Sequence, residues 1–168
     1  TDQPRLYPPP IEPHGFWLRK IEITNFRCFD KLNVDLDKQL TVLTSRNGGG
    51  KTALLDAIAV LFGTFVGSFP TGKGGRIDHH DVRLAITQRE PLEMVSRYPA
   101  VLRAQGDVDG EYISWARCLN TSKSQTTIKE AKALTQIGKR LHAAVAEDSP
   151  VVLPIVAYYG TGRLWSHK

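Results

Sequence analysis

The sequence predicts an α/β fold, and three observations predict it. A short apolar, β-branched run, Leu40–Thr44, leads straight into a loop with three consecutive glycines, Gly48–Gly50. That loop leads into a segment with Leu54, Leu55, Ile58, Ala59, Leu61 and Phe62 at helical spacing. Strand-like stretches flank this strand–loop–helix unit on both sides, and a second amphipathic segment comes later, over 128–146. The chain has 168 residues, enough to bury one core, and its 41% hydrophobic and 23% charged content excludes wholesale disorder.

Residues 1–14 carry five prolines, which forbid a helix and predict a leader or linker ahead of a domain spanning 15–168. Leu18, Ile21 and Ile23 mark a β-prone run from Trp17 to Asn25, and Leu32, Val34 and Leu36 alternate with polar residues as a half-buried strand does. Leu40–Thr44 reads as a buried strand. Residues 63–80 hold five glycines and a proline and read as loop. Ala100–Gln105 and Tyr112–Leu119 predict two strands joined by the Asp107–Gly110 turn, because Asp-Gly tolerates positive φ. Over 128–146, Ile128, Ala131, Leu134, Ile137, Leu141 and Val145 line one helix face, and Pro150 ends the helix. Val151–Tyr159 predicts a second buried strand, weakened by Pro154.

Composition narrows the function classes. Twenty-two Lys and Arg against seventeen Asp and Glu leave +5, a mild and dispersed basic balance compatible with polyanion partners. No stretch approaches the roughly 18 apolar residues of a membrane span, which predicts no membrane partner. Two cysteines, Cys28 and Cys118, exclude a disulfide scaffold; both lie in apolar-rich segments and read as small reduced core residues, which points to the cytoplasm.

The strongest chemical signal is Ser45-Arg-Asn-Gly-Gly-Gly-Lys-Thr52. Glycines let a loop turn its N–H groups inward and approach a phosphate closely. Gly48, Gly49 and Gly50 supply that freedom, Lys51 can neutralise β- and γ-phosphates, and the Thr52 hydroxyl can hold Mg²⁺. The helix starting near Lys51 adds its positive end. One position departs from the usual GxxxxGK[ST] pattern: Ser45 stands where the first glycine would be. A GTPase is disfavoured, since Asp107–Gly110 matches DxxG only formally and no NKxD exists.

Ile21-Glu-Ile-Thr-Asn-Phe-Arg27, Leu40–Thr44, Asn47–Thr52 and Leu54-Leu-Asp-Ala-Ile58 together resemble the N-terminal segment of SMC- and RecF-type ABC ATPases. Arg76–Arg83 and Leu153–Trp165 look like a narrower bacterial group, predicted ATP-binding proteins related to the OLD family and to the ATPase subunits of Septu-type antiphage systems. The resemblance implies a phosphate-loop NTPase fold of the ABC/SMC/RecF type with an antiparallel β subdomain, incomplete at its C-terminal side. It implies ATP and Mg²⁺ as cofactors, with Asn47, Gly48, Gly49, Gly50, Lys51, Thr52 and Ala53 around the phosphates, Thr52 on the metal, and Arg27 near the nucleotide. It also implies ATPase heads that dimerise, and a nucleotide cycle that controls DNA engagement or a partner nuclease in antiphage defence. A Walker B strand ending Asp-Glu, a serine signature and a glutamine loop are not recognisable in the sequence, so weak or no hydrolysis is expected from this chain alone. A non-hydrolysing nucleotide sensor or interaction module, and a basic DNA-binding fragment, stand as alternatives.

Other candidates carry blander expectations. Asp78-His79-His80-Asp81 reads as a polar loop whose adjacent side chains diverge. Thr71–Arg76 reads as a mobile surface loop, and His142 as a packing residue. Tyr158, Tyr159 and Trp165, with Arg163, are read either as packing or as a stacking surface, and Arg163 also as a residue near the nucleotide.

Overall fold

The computed structural model describes residues 15–87 and 90–160, so the proline-rich leader, Arg163 and Trp165 lie outside the described residues. In chain order the elements are β1 (Trp17–Phe26), β2 (Phe29–Asp35), α1 (Lys51–Leu61), the single turn α2 (Gly63–Val66), β3 (Leu84–Ile86), β4 (Met94–Ser96), β5 (Ala100–Val108), β6 (Glu111–Leu119) and α3 (Lys132–Ala146). Short 3₁₀ turns at His79–Asp81 and Lys129–Ala131 precede β3 and α3.

Four strands form one antiparallel sheet in the order β2-β1-β5-β6. Alternation dictates its faces: Ile21 pairs with Ala104, Ile23 with Leu102, and Ala104 with Trp115, so one face is apolar apart from the buried Arg117, which pairs with Leu102. Onto it α1 lays Leu54, Ala57 and Leu61, and α3 lays Leu134, Ile137 and Leu141; all are buried in one core. The β5–β6 turn uses Asp109 and Gly110 with φ 52° and 79°, the type I′ geometry that suits the right-handed strand twist.

The sheet also secures the far end of α1. The last carbonyls of a helix have no intrahelical partner. Trp115 Nε1 donates to Leu61 O at 3.0 Å, and Arg117 Nη1 donates to Val60 O at 3.1 Å. Positions 115 and 117 lie two apart on β6, so both side chains reach the same face. Arg117 is buried and its guanidinium is pushed below its usual pKa by desolvation, while Thr127 O and Gly75 O accept its further hydrogen bonds.

Several expectations are corrected. Leu40–Thr44 forms no strand: Leu40 is 72% and Val42 71% exposed, and only Leu43 packs against the core. A strand needs a neighbour to satisfy its backbone, and the sheet stops at β2. Val151–Tyr159 is not a strand either, and Ile155 is 94% exposed. All described strand pairs are antiparallel. The second helix begins at Lys132 after a 3₁₀ turn, leaving Ile128 and Val145 exposed. Cys118 is buried as expected, but Cys28 is exposed, because it lies in the β1–β2 turn. His142 meets Phe69 edge to face at 6.0 Å, the packing role expected of it.

Candidate phosphate-binding site

The loop before α1 has the backbone that its glycines allow. Gly48 and Gly50 adopt φ 80° and 86°, where side chains are strained. Gly50 is the N-cap of α1, with no side-chain hydrogen bond capping the helix and no acidic residue in its first turn. Among the described residues, therefore, neither the N-cap nor a first-turn acid offers a side-chain partner to the first-turn N–H groups or offsets the positive helix end. Around this end lies an open hollow of about 390 Å³, lined by Arg27, Cys28, Asn47, Gly48, Gly49, Gly50, Lys51, Thr52 and Ala53. The eight residues expected from the sequence thus line one hollow, together with Cys28.

The donors differ in how they are engaged. Lys51 Nζ folds back on the loop, donating to Ser45 O at 2.7 Å, Ser45 Oγ at 3.1 Å and Arg46 O at 3.1 Å. Gly49 N–H also bonds Arg46 O, at 3.0 Å. Thr52 is exposed. Amides, an ammonium and a hydroxyl form a donor set that suits a phosphate chain and its Mg²⁺.

Arg27 sits in the β1–β2 turn with φ 49°. Its Nε donates to Asp81 Oδ1 at 2.8 Å, and its Nη1 is paired with Asp56 on α1. Burial opposes its charge, but the bonds to Asp81 and Asp56 outweigh that and hold its pKa above the ordinary value. Asp56 also accepts a hydrogen bond from Tyr158, whose phenol is pushed up chiefly by that bond. Tyr158 and Tyr159 are exposed rather than packed in the core. The roles of Asp56 and Asp81 were not legible from Arg27 alone; Asp56 stands inside the Leu-Leu-Asp-Ala-Ile run, which was the available signal.

The polar loop 78–81 also differs from expectation. Its 3₁₀ turn gathers Asp78, His80 and Asp81 so that one ligand atom from each lies within 4.8 Å of the others. Both carboxylates are already paired with arginine, Asp78 with Arg76 at 3.0 Å and Asp81 with Arg27. That charge compensation makes the cluster an ion-pair network. The loop at Thr71–Arg76 approaches α2 backbone to backbone: a Cβ at Gly74 would lie 1.9 Å from Gly63 O, and one at Gly72 1.8 Å from Val66 O. It is a tightly apposed loop, not a detached one.

A hollow at the start of a helix, beside an antiparallel sheet, fits the α/β fold of a phosphate-loop ATPase domain. Residues 20–168 match the AAA domain family, and the chain belongs to that family. The chain is also similar to the chromosome partition protein Smc of Methanocaldococcus jannaschii, at 35% identity over 80 residues, 42% of this chain and 7% of that protein. It is similar to the DNA replication and repair protein RecF of Rhizobium meliloti, at 39% identity over 49 residues, 29% of this chain and 13% of that protein. The DNA repair protein RecN of Bacillus subtilis shows 29% identity over 121 residues, 70% of this chain and 20% of that protein. The matched stretches therefore span a small part of these relatives. The AAA domain and these likenesses together support an SMC/RecF-like ATPase. No helix among the described residues is long and apolar enough to cross a membrane.

Proposed function

We propose that this chain binds MgATP as part of an ATPase head of the ABC/SMC/RecF type. The observation that carries the reading is the hollow at the start of α1, lined by Arg27 and by Asn47 through Ala53. In this reading the amides of the loop and first turn hold the phosphates, and Lys51 leaves the loop carbonyls to meet the β- and γ-phosphates. Thr52 would hold Mg²⁺, which neutralises charge on the phosphate chain when bound. Arg27, fixed by Asp56 and Asp81, borders the nucleotide.

The finer reading extends the likenesses to Smc, RecF and RecN. Residues 15–168 form the N-terminal part of the head, preceded by a linker over 1–14. Further strands of the same protein cover the exposed apolar segments at 40–42 and 152–156, and its hydrolytic carboxylates complete the ATPase. Two heads pair in the cytoplasm around ATP, and their cycle controls DNA engagement or a partner nuclease in antiphage defence, as in OLD- and Septu-related systems. A non-hydrolysing nucleotide sensor or interaction module is the second reading.

Equilibrium binding of MgATP to the wild type and to Lys51→Ala tests the core of this. A charged hydrogen bond contributes roughly 1.5–3 kcal/mol, so Lys51→Ala is expected to weaken binding about 10- to 100-fold. Equal binding by both proteins would remove the phosphate-loop reading. Polyanion binding that ignores ATP and falls steeply with salt would favour a basic DNA-binding fragment instead.

A further inference from the structure

Ser45 stands where a phosphate loop of this pattern has glycine, and the structure shows what its side chain does. Lys51 Nζ donates to Ser45 Oγ at 3.1 Å, as well as to Ser45 O and Arg46 O. Ser45 Oγ in turn donates to Arg46 O at 3.2 Å. Arg46 O is the acceptor that also engages Gly49 N–H at 3.0 Å. The hydroxyl lies directly over Gly49, since a Cβ built there would stand 2.5 Å from it. One side chain thus joins the ammonium, the loop carbonyl and the glycine that a phosphate would have to displace or approach.

We infer that Ser45 is an affinity-setting residue of the nucleotide site, a latch that holds Lys51 in the closed loop and must release it before a phosphate chain can be held. The inference rests on the MgATP reading and adds to it a residue outside the set lining the hollow. A glycine at position 45 would leave Lys51 only the two carbonyls. Phosphate oxygens compete with carbonyls for the ammonium easily, because a charged acceptor makes the stronger hydrogen bond. The hydroxyl adds a third acceptor that is lost when Lys51 moves. The same bond fixes the loop over Gly49, so opening is a local conformational change linked to binding, and apparent affinity falls with the fraction of open loop.

The test is MgATP binding to the full chain as wild type, Ser45→Ala, Ser45→Thr and Lys51→Ala, with a thermal melt of each to establish folding. Ser45→Ala removes the hydroxyl while keeping the Cβ restraint on the backbone, and is expected to bind MgATP roughly 3- to 10-fold more tightly, the range for one exposed charged hydrogen bond. Ser45→Thr restores a hydroxyl and is expected to return affinity to the wild-type value. A merely structural role for Ser45 would move the melt in both variants and would not separate them in affinity. If Ser45→Ala, folded, binds no more tightly than wild type, or if Ser45→Thr tightens binding equally, the latch is overturned while the Lys51→Ala loss still upholds the nucleotide site. If neither wild type nor Ser45→Ala binds MgATP, the nucleotide reading falls and the latch falls with it.

Discussion

Two glycine-rich loops flank the first helical region, and they use glycine for different physical reasons. The loop before α1, Ser45–Thr52, needs glycine for conformation: Gly48 and Gly50 hold left-handed φ, and the path leaves helix-start amides without side-chain caps. The loop after α2, Thr71–Arg76, needs glycine for space. Its glycines have no positive φ, but Gly72 and Gly74 lie so close to the backbone of Val66 and Gly63 that no side chain fits. The first loop opens on a hollow; the second ties residues 72–75 to the end of the α1–α2 unit. Each contains a lysine after glycine, Lys51 or Lys73, yet only Lys51 stands at the start of a helix. Composition does not distinguish such loops. The next element in the chain does, because a phosphate site needs the helix as well as the glycines.

This contrast can be broken at chosen positions. The largest expected effect is at Gly72→Ala, where the new Cβ would fall 1.8 Å from Val66 O, a main-chain atom that cannot turn aside. Overpacking costs typically 1–3 kcal/mol and more where backbone must shift, so a loss of about 3 kcal/mol is expected in chemical denaturation. A loss below about 1 kcal/mol would show that the second loop is not held by close approach. Gly50→Ala should have a smaller stability effect and a functional one. Its φ of 86° strains an L residue, by about 1–2 kcal/mol, and its Cβ would lie 2.4 Å from Phe29 Cζ, the tip of a side chain that can adjust. Denaturation should therefore show a loss of about 2 kcal/mol, accompanied by weaker MgATP binding in a titration. The smallest effect is expected at Lys73→Ala, an exposed residue. Stability should change by no more than about 0.5 kcal/mol, and MgATP affinity should stay at the wild-type level. A drop in affinity comparable to that of Lys51→Ala would place the second loop in the phosphate site and erase the distinction.

How much of this was legible in the sequence varies by element. The hairpin β5–β6 was, because alternation and an Asp-Gly turn are local signals that the backbone obeys without outside help. The left-handed path of the glycine loop and the helix α1 were legible for the same reason. The two apolar segments, Leu40–Thr44 and Val151–Tyr159, were not. Their composition states only that they favour burial, whereas a strand also requires a partner at hydrogen-bonding distance. Among the described residues neither pairs with a neighbouring strand. Cys28 was misplaced because an apolar neighbourhood in sequence says nothing about a turn that points its residue outward.

Sequence alone determined β1, β2, α1, the β5–β6 hairpin and most of α3, the left-handed glycines of the loop, the apolar faces of α1 and α3, and the residue types at the helix start. These depend on steric allowance and on period, which are properties of adjacent residues. Only the tertiary structure decided that Arg27 is clasped by Asp56 and Asp81, that Trp115 and Arg117 cap the far end of α1, and that Ser45 shares Lys51 with Arg46 O. The first two link residues from 29 to 57 positions apart, and the third depends on how a short loop closes. A hydrogen bond needs its two atoms within about 3 Å of one another, and that distance is set by how the sheet, the helix and the turns pack, not by any single stretch of chain.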